Sequence, residues 1–405
     1  MSDVIDVKTL EADDLRAAHT LFRAAMHHPP ADDARWEHVS RSFLPGRTFG
    51  AYSGGTLIGT TMSLLLPMTV PGGAVLPSAA VTRVGVRADH TRRGALSALM
   101  REQLLAVSAA GEPLASLRAS EYPIYGRYGY GVATRGRDLA VDPRRAAFHP
   151  SAPVSGEVRL VDHADLMAVL PDVYRRIGPG RPGFLQRDEA RWTLMLNVPP
   201  DGEERMVAAV HTGPDGDDGF VVYRPRKNPT ADDPWGEMLQ IDDLHAAGVE
   251  AAAALWRFVL GVDLINQVRA WLRPLDEPLQ LLLADPRAAR TNDLGDEAWL
   301  RLVDVPAALS ARSWAGSDAV VIAVHDGILP ANSGSYRITP DGVSRVDEPV
   351  QLECDIAVLG RLYLGDVAPS ALAATGWLTV HDPAVLPAAD ALFATGIIPW
   401  SGTFF

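Results

Sequence analysis

The chain has 405 residues, 47% hydrophobic and 21% charged, values of a globular protein that can bury several cores without disulfides or structural metals. Its 37 basic and 50 acidic residues leave a formal charge of -13, which repels phosphate backbones, argues against nucleic-acid binding and draws in polycations. The single cysteine, Cys354, excludes an intrachain disulfide framework and a cysteine-based zinc site, and the acidic start MSDVIDVKTLEADD lacks the apolar stretch of a secretory signal.

No run approaches the roughly 20 apolar residues of a membrane span, so a cytoplasmic protein is expected. At roughly 150 residues per domain, the length predicts two or three domains. Residues 13–26 place Leu15, Ala18, His19, Phe22 and Met26 at helical spacing, with Asp13 as the expected N-cap. A short helix over 33–43 follows, then strands over 48–52 and 57–66 around Gly54-Gly55, a Pro71-Gly72-Gly73 turn and a strand over 79–86. Arg92-Arg93-Gly94 leads into a helix over 95–110, and 113–119 reads as the next strand. A strand that enters a helix through a basic, glycine-containing turn is the α/β device for holding an anion on free N–H groups. Residues 141–156 shift to Pro, Ser, Ala and Arg, a linker composition.

Beyond that stretch come a helix over 163–176, a hairpin of 206–211 and 219–224 around an acidic glycine turn, a strand over 238–244 and a helix over 248–260. This repeats the order of 81–107. The second turn, however, has Asp242-Asp243 nearby and no arginine cluster. The prediction is a duplicated domain that kept the scaffold and lost the anion site. After 285–295 the pattern changes again, to a strand over 299–303, a helix over 305–313 and a strand over 319–324 ending in His-Asp-Gly. An alternating segment over 351–357 and helices over 358–364 and 370–375 precede the apolar end IIPWSGTFF, which is expected to be tucked into the protein.

Two segments, VTRVGVRADHTRRGALSALMREQL (81–104) and RASEYPIYGRYGYGVAT (118–134), carry a resemblance. Together with WLRLVDVPAAL (299–309) and the aromatic end, they resemble the Eis (enhanced intracellular survival) group of GCN5-related N-acetyltransferases, in the same order and over essentially the whole chain. The resemblance implies a mixed α/β (α+β) chain of two tandem GNAT-type domains, the second degenerate, and a C-terminal sterol-carrier-protein-like domain. The expected boundaries are 1–150, 151–292 and 293–405. It also implies acetyl transfer from acetyl-CoA to primary amines of multi-amine, aminoglycoside-like substrates, and assembly as a homo-hexamer.

The residues give part of this chemistry by themselves. Arg92, Arg93, Gly94, Ala95, Leu96 and Ser97 offer consecutive N–H groups at a helix start, where the dipole favours a pyrophosphate. Gly85 permits close backbone approach. By resemblance, the backbone of Val84, Gly85 and Val86 pairs with the pantetheine arm, and Ser120 and Glu121 also contact the cofactor. Thr91 and Leu96 depart from the general acetyltransferase loop pattern, and without the resemblance the turn is equally a solvated basic helix cap.

Tyr125 corresponds to the family's general acid through the register IYGR, since a phenol can protonate a departing thiolate. Tyr128 and Tyr130 read as packed aromatics. Phe405 is carried over as general base through its α-carboxylate, which ionises near about 3.5 and so acts by placement and charge rather than basicity. Trp36 matches a substrate-pocket tryptophan. Phe404 stands where relatives can carry an acidic residue, and Asp32, Asp33 and Glu37 either replace that carboxylate or solvate a helix.

His27-His28 with Asp32 does not make a metal site, and no HExxH occurs, so no metal is expected. The absence of GxSxG favours direct transfer over an acyl-enzyme. Two further readings stay open: acetylation of lysine side chains or small arylalkylamines, and a non-catalytic acyl-CoA or lipid binder. Tyr125 and Phe405 argue against the binder, which needs neither.

Overall fold

The computed structural model describes residues 4–197, 206–228 and 236–405. The chain divides into two compact units, one formed by Met1–Thr134, Arg181–Arg191 and Glu297–Phe405, the other by Arg135–Gly180 and Trp192–Asp296.

In the first unit a seven-stranded sheet runs in the order Asp6–Thr9, Thr48–Ser53, Thr56–Leu65, Ser78–Val86, Leu114–Leu117, Trp299–Leu302, Gly131–Val132. Ser78–Val86 and Leu114–Leu117 are parallel, and their crossover is the helix Ala95–Ala109. That helix buries Leu99, Met100, Gln103, Leu104 and Val107, one stripe at spacings of three and four. The helix Leu15–Ala25 covers the other face. Gly85 lies against Phe22 and Ala25, whereas Gly59, paired with Val86, lies against Leu99 of the crossover helix.

A second sheet in this unit has the order Gly342–Val346, Gly334–Thr339, Val320–His325, Leu352–Asp355, Thr379–Val380. Its helix Ile356–Tyr363 sits directly on Trp299–Leu302 and Gly131–Val132. Gly131 and Gly360 make that approach possible, because a Cβ at either would collide with a carbonyl oxygen, of Ala357 and Leu300 respectively. Beside it, Arg301 donates through Nη2 to both carboxylate oxygens of Asp326 at 2.8 Å, with both side chains buried. Asp326 also accepts from the backbone N–H of Ile328 and Leu329 and from Asn332 Nδ2. A buried pair of this kind holds because its remaining lone pairs are filled.

The second unit has a seven-stranded sheet in the order Glu157–Val161, Val207–Gly213, Gly216–Lys227, Glu237–Ala246, Ile265–Arg273, Arg135–Val141, Ala289–Asp296. It repeats the plan: Glu237–Ala246 and Ile265–Arg273 are parallel, joined by the helix Val249–Leu260, which buries Leu255, Trp256 and Val259. Only Ala247 and Gly248 separate strand from helix here, against residues 87–94 in the first unit.

Several expectations need correction. Asp13 caps nothing, because a 3-10 turn, Ala12–Asp14, precedes the first helix, and Asp14 at its N-cap makes no side-chain bond. The stretch 141–156 is irregular but not a free linker. Its Asp142 accepts from the Arg144 N–H, Phe148 bridges to Leu283, and Arg257 stacks on Phe148 at 4.3 Å. The pair Gly334–Thr339 and Gly342–Val346 and the helix Leu386–Phe393 were not anticipated.

Candidate functional site

The two parallel strands of the first unit part company. Ser78–Val86 pairs with Leu114–Leu117 only as far as Val81↔Leu117, while on its other side it stays paired with Thr56–Leu65 to Val86↔Gly59. Among the described residues no strand pairs with 82–86 on the Leu117 side. The backbone groups along that edge, Val84 to Val86 included, are open to an extended ligand.

The chain leaves this strand through a 3-10 turn, Ala88–His90, and a bend in which Arg92 and Gly94 are left-handed, at φ +61° and +94°. Left-handed residues in a turn fold successive amides into an anion-binding concavity. The helix then starts at Ala95, so the amides of Ala95, Leu96 and Ser97 belong to a first turn that has no intrahelical acceptor. Arg92 and Arg93 are exposed, Leu96 is half-buried and Ser97 is exposed.

After the neighbouring strand, Arg118–Ser120 leads to the short helix Tyr122–Tyr125 and a 3-10 turn, Gly126–Tyr128, closed by Gly129 at φ +85°. Tyr125 is buried, with its ring edge-on to Tyr130 at 6.4 Å. Burial pushes its phenol up to about 12, opposed by a side-chain hydrogen bond with Ser120; the charges of Tyr128 and Glu121 push it the same way as burial. Tyr128 shares a hydrogen bond of 3.0 Å with Ser97 of the crossover helix. Ser97, Ser120, Tyr125 and Tyr128 therefore meet where the strands have parted. Tyr130 is fully buried and packed in the core, and Glu121 is exposed beside the Tyr125 segment.

The end of the chain is held by residues that the sequence did not single out. Glu297, 1% exposed, accepts from the backbone N–H of Ser401 at 3.1 Å and Gly402 at 2.7 Å, and from Thr134 Oγ1 at 2.8 Å. Burial raises its carboxyl pKa, opposed by Arg118 and these donors. Arg187 donates to Thr403 Oγ1 and to the carbonyl of Gly402, and the Trp400 N–H donates to Pro182. Arg118, two residues before Ser120, lies 5.1 Å from the Phe404 ring and 3.9 Å from Glu297. The tail and the Tyr125 segment are thus linked through one guanidinium. Phe404 is 49% exposed, and Phe405 packs half-buried against the core that contains Met62, Leu64 and Leu66.

Trp36 sits on the helix Asp33–Ser40, its ring 5.7 Å from His19 and 5.7 Å from Phe43. The three nearby carboxylates are engaged elsewhere: Asp32 caps the helix by accepting from the Arg35 N–H, Asp33 pairs with Arg16, and Glu37 pairs with Arg41. Asp33 and Glu37 stand exposed on the helix surface. A second residue missed from the sequence is Arg83, whose guanidinium lies 4.4 Å from the Phe43 ring. Among the described residues no group of three or more His, Cys, Asp or Glu could hold a metal, and no helix is long and apolar enough to cross a membrane.

Known proteins match this arrangement throughout. Residues 6–133 and 183–302 each match the acetyltransferase (GNAT) domain family, and 305–402 match the sterol carrier protein domain family. An uncharacterized N-acetyltransferase of Streptomyces avermitilis is 35% identical over 98% of each chain. N-acetyltransferase Eis of Mycobacterium tuberculosis is 36% identical over 86% of each. The crystal structure of Eis1 from Mycobacterium abscessus superposes with a TM-score of 0.88 at 37% identity, covering 99% of this chain and 100% of that one.

Proposed function

The chain belongs to the Eis family of GCN5-related N-acetyltransferases, with two GNAT domains and a sterol carrier domain, and from that premise we propose direct, acetyl-CoA-dependent acetylation of a primary amine in its first unit. The parting of the parallel strands beyond Val81 and Leu117 carries this reading, because it brings an open backbone edge, a helix-start turn and Tyr125 to one place. The backbone of Val84, Gly85 and Val86 would hold the pantetheine arm. The turn from Arg92 to Ser97 would hold the pyrophosphate, with Ser120 and Glu121 beside the thioester end. In the second unit the two-residue connection Ala247-Gly248 leaves no such turn, consistent with a scaffold that does not bind the cofactor.

The chemistry balances without a covalent enzyme intermediate. The amine nitrogen attacks the thioester carbonyl, a C–N bond forms, and the C–S bond breaks. Tyr125 hydrogen-bonds the sulfur as negative charge develops there and gives up its proton. A phenol near about 12 is a weaker acid than a thiol near about 8.5, so the handover completes only as the surplus amine proton replaces the one lost. The Phe405 α-carboxylate, or a water it orients, would draw that proton off the nitrogen and pass it on toward the Tyr125 phenolate, so that both groups end as they began and the products are the amide and the CoA thiol. The carboxylate's contribution is position and charge beside a nitrogen turning positive.

For the acceptor, the structure favours a small aromatic amine over a multi-amine compound. A polycation calls for several carboxylates, yet Phe404 supplies none at the penultimate position and Asp32, Asp33 and Glu37 already have partners, which leaves it the exposed Glu121 and the Phe405 α-carboxylate. A cytoplasmic homo-hexamer, as in the family resemblance, is part of the same proposal. The test is thiol release from acetyl-CoA with an aminoglycoside, a polyamine, an arylalkylamine and a lysine peptide, each followed by product mass spectrometry. Thiol release matched by acetylated arylalkylamine is expected. Tight acetyl-CoA binding with no amine acetylated would replace this reading with that of an acyl-CoA binder.

A further inference from the structure

Arg83 lies on the strand that offers the open edge, one residue before Val84. The pairing register with Thr56–Leu65 shifts between Thr60 and Met62, and Arg83 in the resulting bulge has φ +50°. A non-glycine residue in this region is strained, and bulges re-aim side chains beside functional sites. Its Nη1 donates to Met62 Sδ at 2.9 Å and its Nη2 to Ser42 Oγ at 2.9 Å, with Phe43 stacked on the guanidinium. None of these neutralises the charge, and among the described residues no carboxylate pairs with it. Burial, reinforced by Arg191, pulls its pKa down to about 9, the mark of a cation lacking a counter-ion.

His19 adjoins it on the first helix. It is 5% exposed, and neither ring nitrogen has a hydrogen-bond partner. Burial, then Arg83, Arg23 and Arg35, lowers its pKa to about 3, so it is a neutral imidazole with one donor and one acceptor unused. Buried polar groups of native proteins are rarely left unsatisfied, and such an exception calls for a ligand or water. His19 is flanked by Trp36 at 5.7 Å and Phe43 at 6.2 Å.

We infer that Arg83, with His19, forms a subsite for a carboxylate on the acceptor, so that the acceptor is an aromatic primary amine that also carries a carboxylate. This rests on the acetyltransferase reading above and specifies its substrate class. The carboxylate supplies the counter-ion that Arg83 lacks, the imidazole N–H can donate to it, and the Trp36 and Phe43 rings face a flat apolar body. The same guanidinium disfavours a polycation, whose charges it would repel.

The test uses the full chain and a matched pair of acceptors, benzylamine and para-aminomethylbenzoate, with wild type, Arg83→Gln and Arg83→Lys. Wild type is expected to prefer the carboxylate-bearing amine by about tenfold or more in kcat/KM, the effect of one charge-assisted hydrogen bond. Arg83→Gln should collapse that preference by raising the acceptor KM while the KM for acetyl-CoA holds, and Arg83→Lys should restore part of it. Titration of tryptophan fluorescence with benzoate alone reads the subsite without turnover. Saturable binding lost in Arg83→Gln supports it, and equal affinity in both proteins overturns it, as does a wild-type preference for benzylamine or a polyamine. If no amine is acetylated, the acetyl-transfer reading fails, and the benzoate titration still decides the subsite.

Discussion

Tyr125→Phe is expected to lower kcat for amine acetylation by roughly 10²- to 10⁴-fold, the usual contribution of a positioned general acid. The KM for acetyl-CoA should stay within about twofold, since the backbone edge and the helix-start turn that would bind it are untouched. The variant keeps the ring that packs against Tyr130 and deletes only the hydroxyl bonded to Ser120, so a loss of rate reads chemistry rather than folding. The sign of the pH dependence follows from the raised phenol. The donor form persists at every pH below about 12, so the ratio of wild-type to variant rates should be the same at neutral and at mildly alkaline pH. Steady-state rates of thiol release at both pH values check this. A ratio near one, or a loss confined to KM, would remove Tyr125 from the proton transfer.

Glu297→Ala should have the second largest effect, through the tail. It would orphan the amides of Ser401 and Gly402 and the Thr134 hydroxyl, at a cost of about 3 kcal/mol unless the tail peels away and solvates them. Because burial raises the Glu297 pKa, its ionised form is less favourable in the folded than in the unfolded chain. That electrostatic contribution is favourable in acid and is lost as pH rises through the folded pKa. What Ala removes at neutral pH is therefore the acceptor, not a favourable charge, and Glu297→Gln, which keeps one accepting oxygen, should cost less. Carboxypeptidase digestion followed by mass spectrometry reads the tail directly. Wild type should keep Phe405, and Glu297→Ala should lose it quickly and lose at least about tenfold in acetylation rate. A resistant tail with unchanged activity would show that Glu297 is not what holds it.

What the sequence revealed of this site was local. The strand expected over 79–86 is Ser78–Val86, and the helix expected over 95–110 is Ala95–Ala109, because continuous apolar periodicity and the Arg92–Gly94 turn are encoded in adjacent residues. The motif residues come together for the same reason, since Ser97 lies in the first turn of that helix and Ser120 and Tyr125 follow closely on the strand Leu114–Leu117. The hairpin Gly334–Thr339 and Gly342–Val346 escaped notice because its alternation is weak, with Gly342–Val346 showing mostly exposed residues. The helix Leu386–Phe393 is hidden by Pro387, which is tolerated only because it falls in the first turn.

The residues that hold the tail were invisible for a different reason. Glu297 meets Ser401 and Gly402 across 104 and 105 residues of chain, and no local pattern marks the second acid of Asp296-Glu297 as a buried acceptor. Arg83 was passed over because one arginine in a strand reads as surface, and only the bulge and the lack of a carboxylate set it apart. Asp32, Asp33 and Glu37 were left open by the sequence between replacing a lost carboxylate and solvating a helix, because their partners Arg35, Arg16 and Arg41 cannot be assigned without the fold.

The central claim is that Tyr125 and the Phe405 α-carboxylate act together on an amine and acetyl-CoA. Its most direct test compares thiol release by the chain ending at Phe405 with that by a chain carrying a short extension beyond it, using the best acceptor of the amine panel and with acetyl-CoA affinity measured in parallel. The account predicts activity in the first and its loss in the second, at unchanged acetyl-CoA affinity. Equal activity in both would contradict it and take Phe405 out of the mechanism.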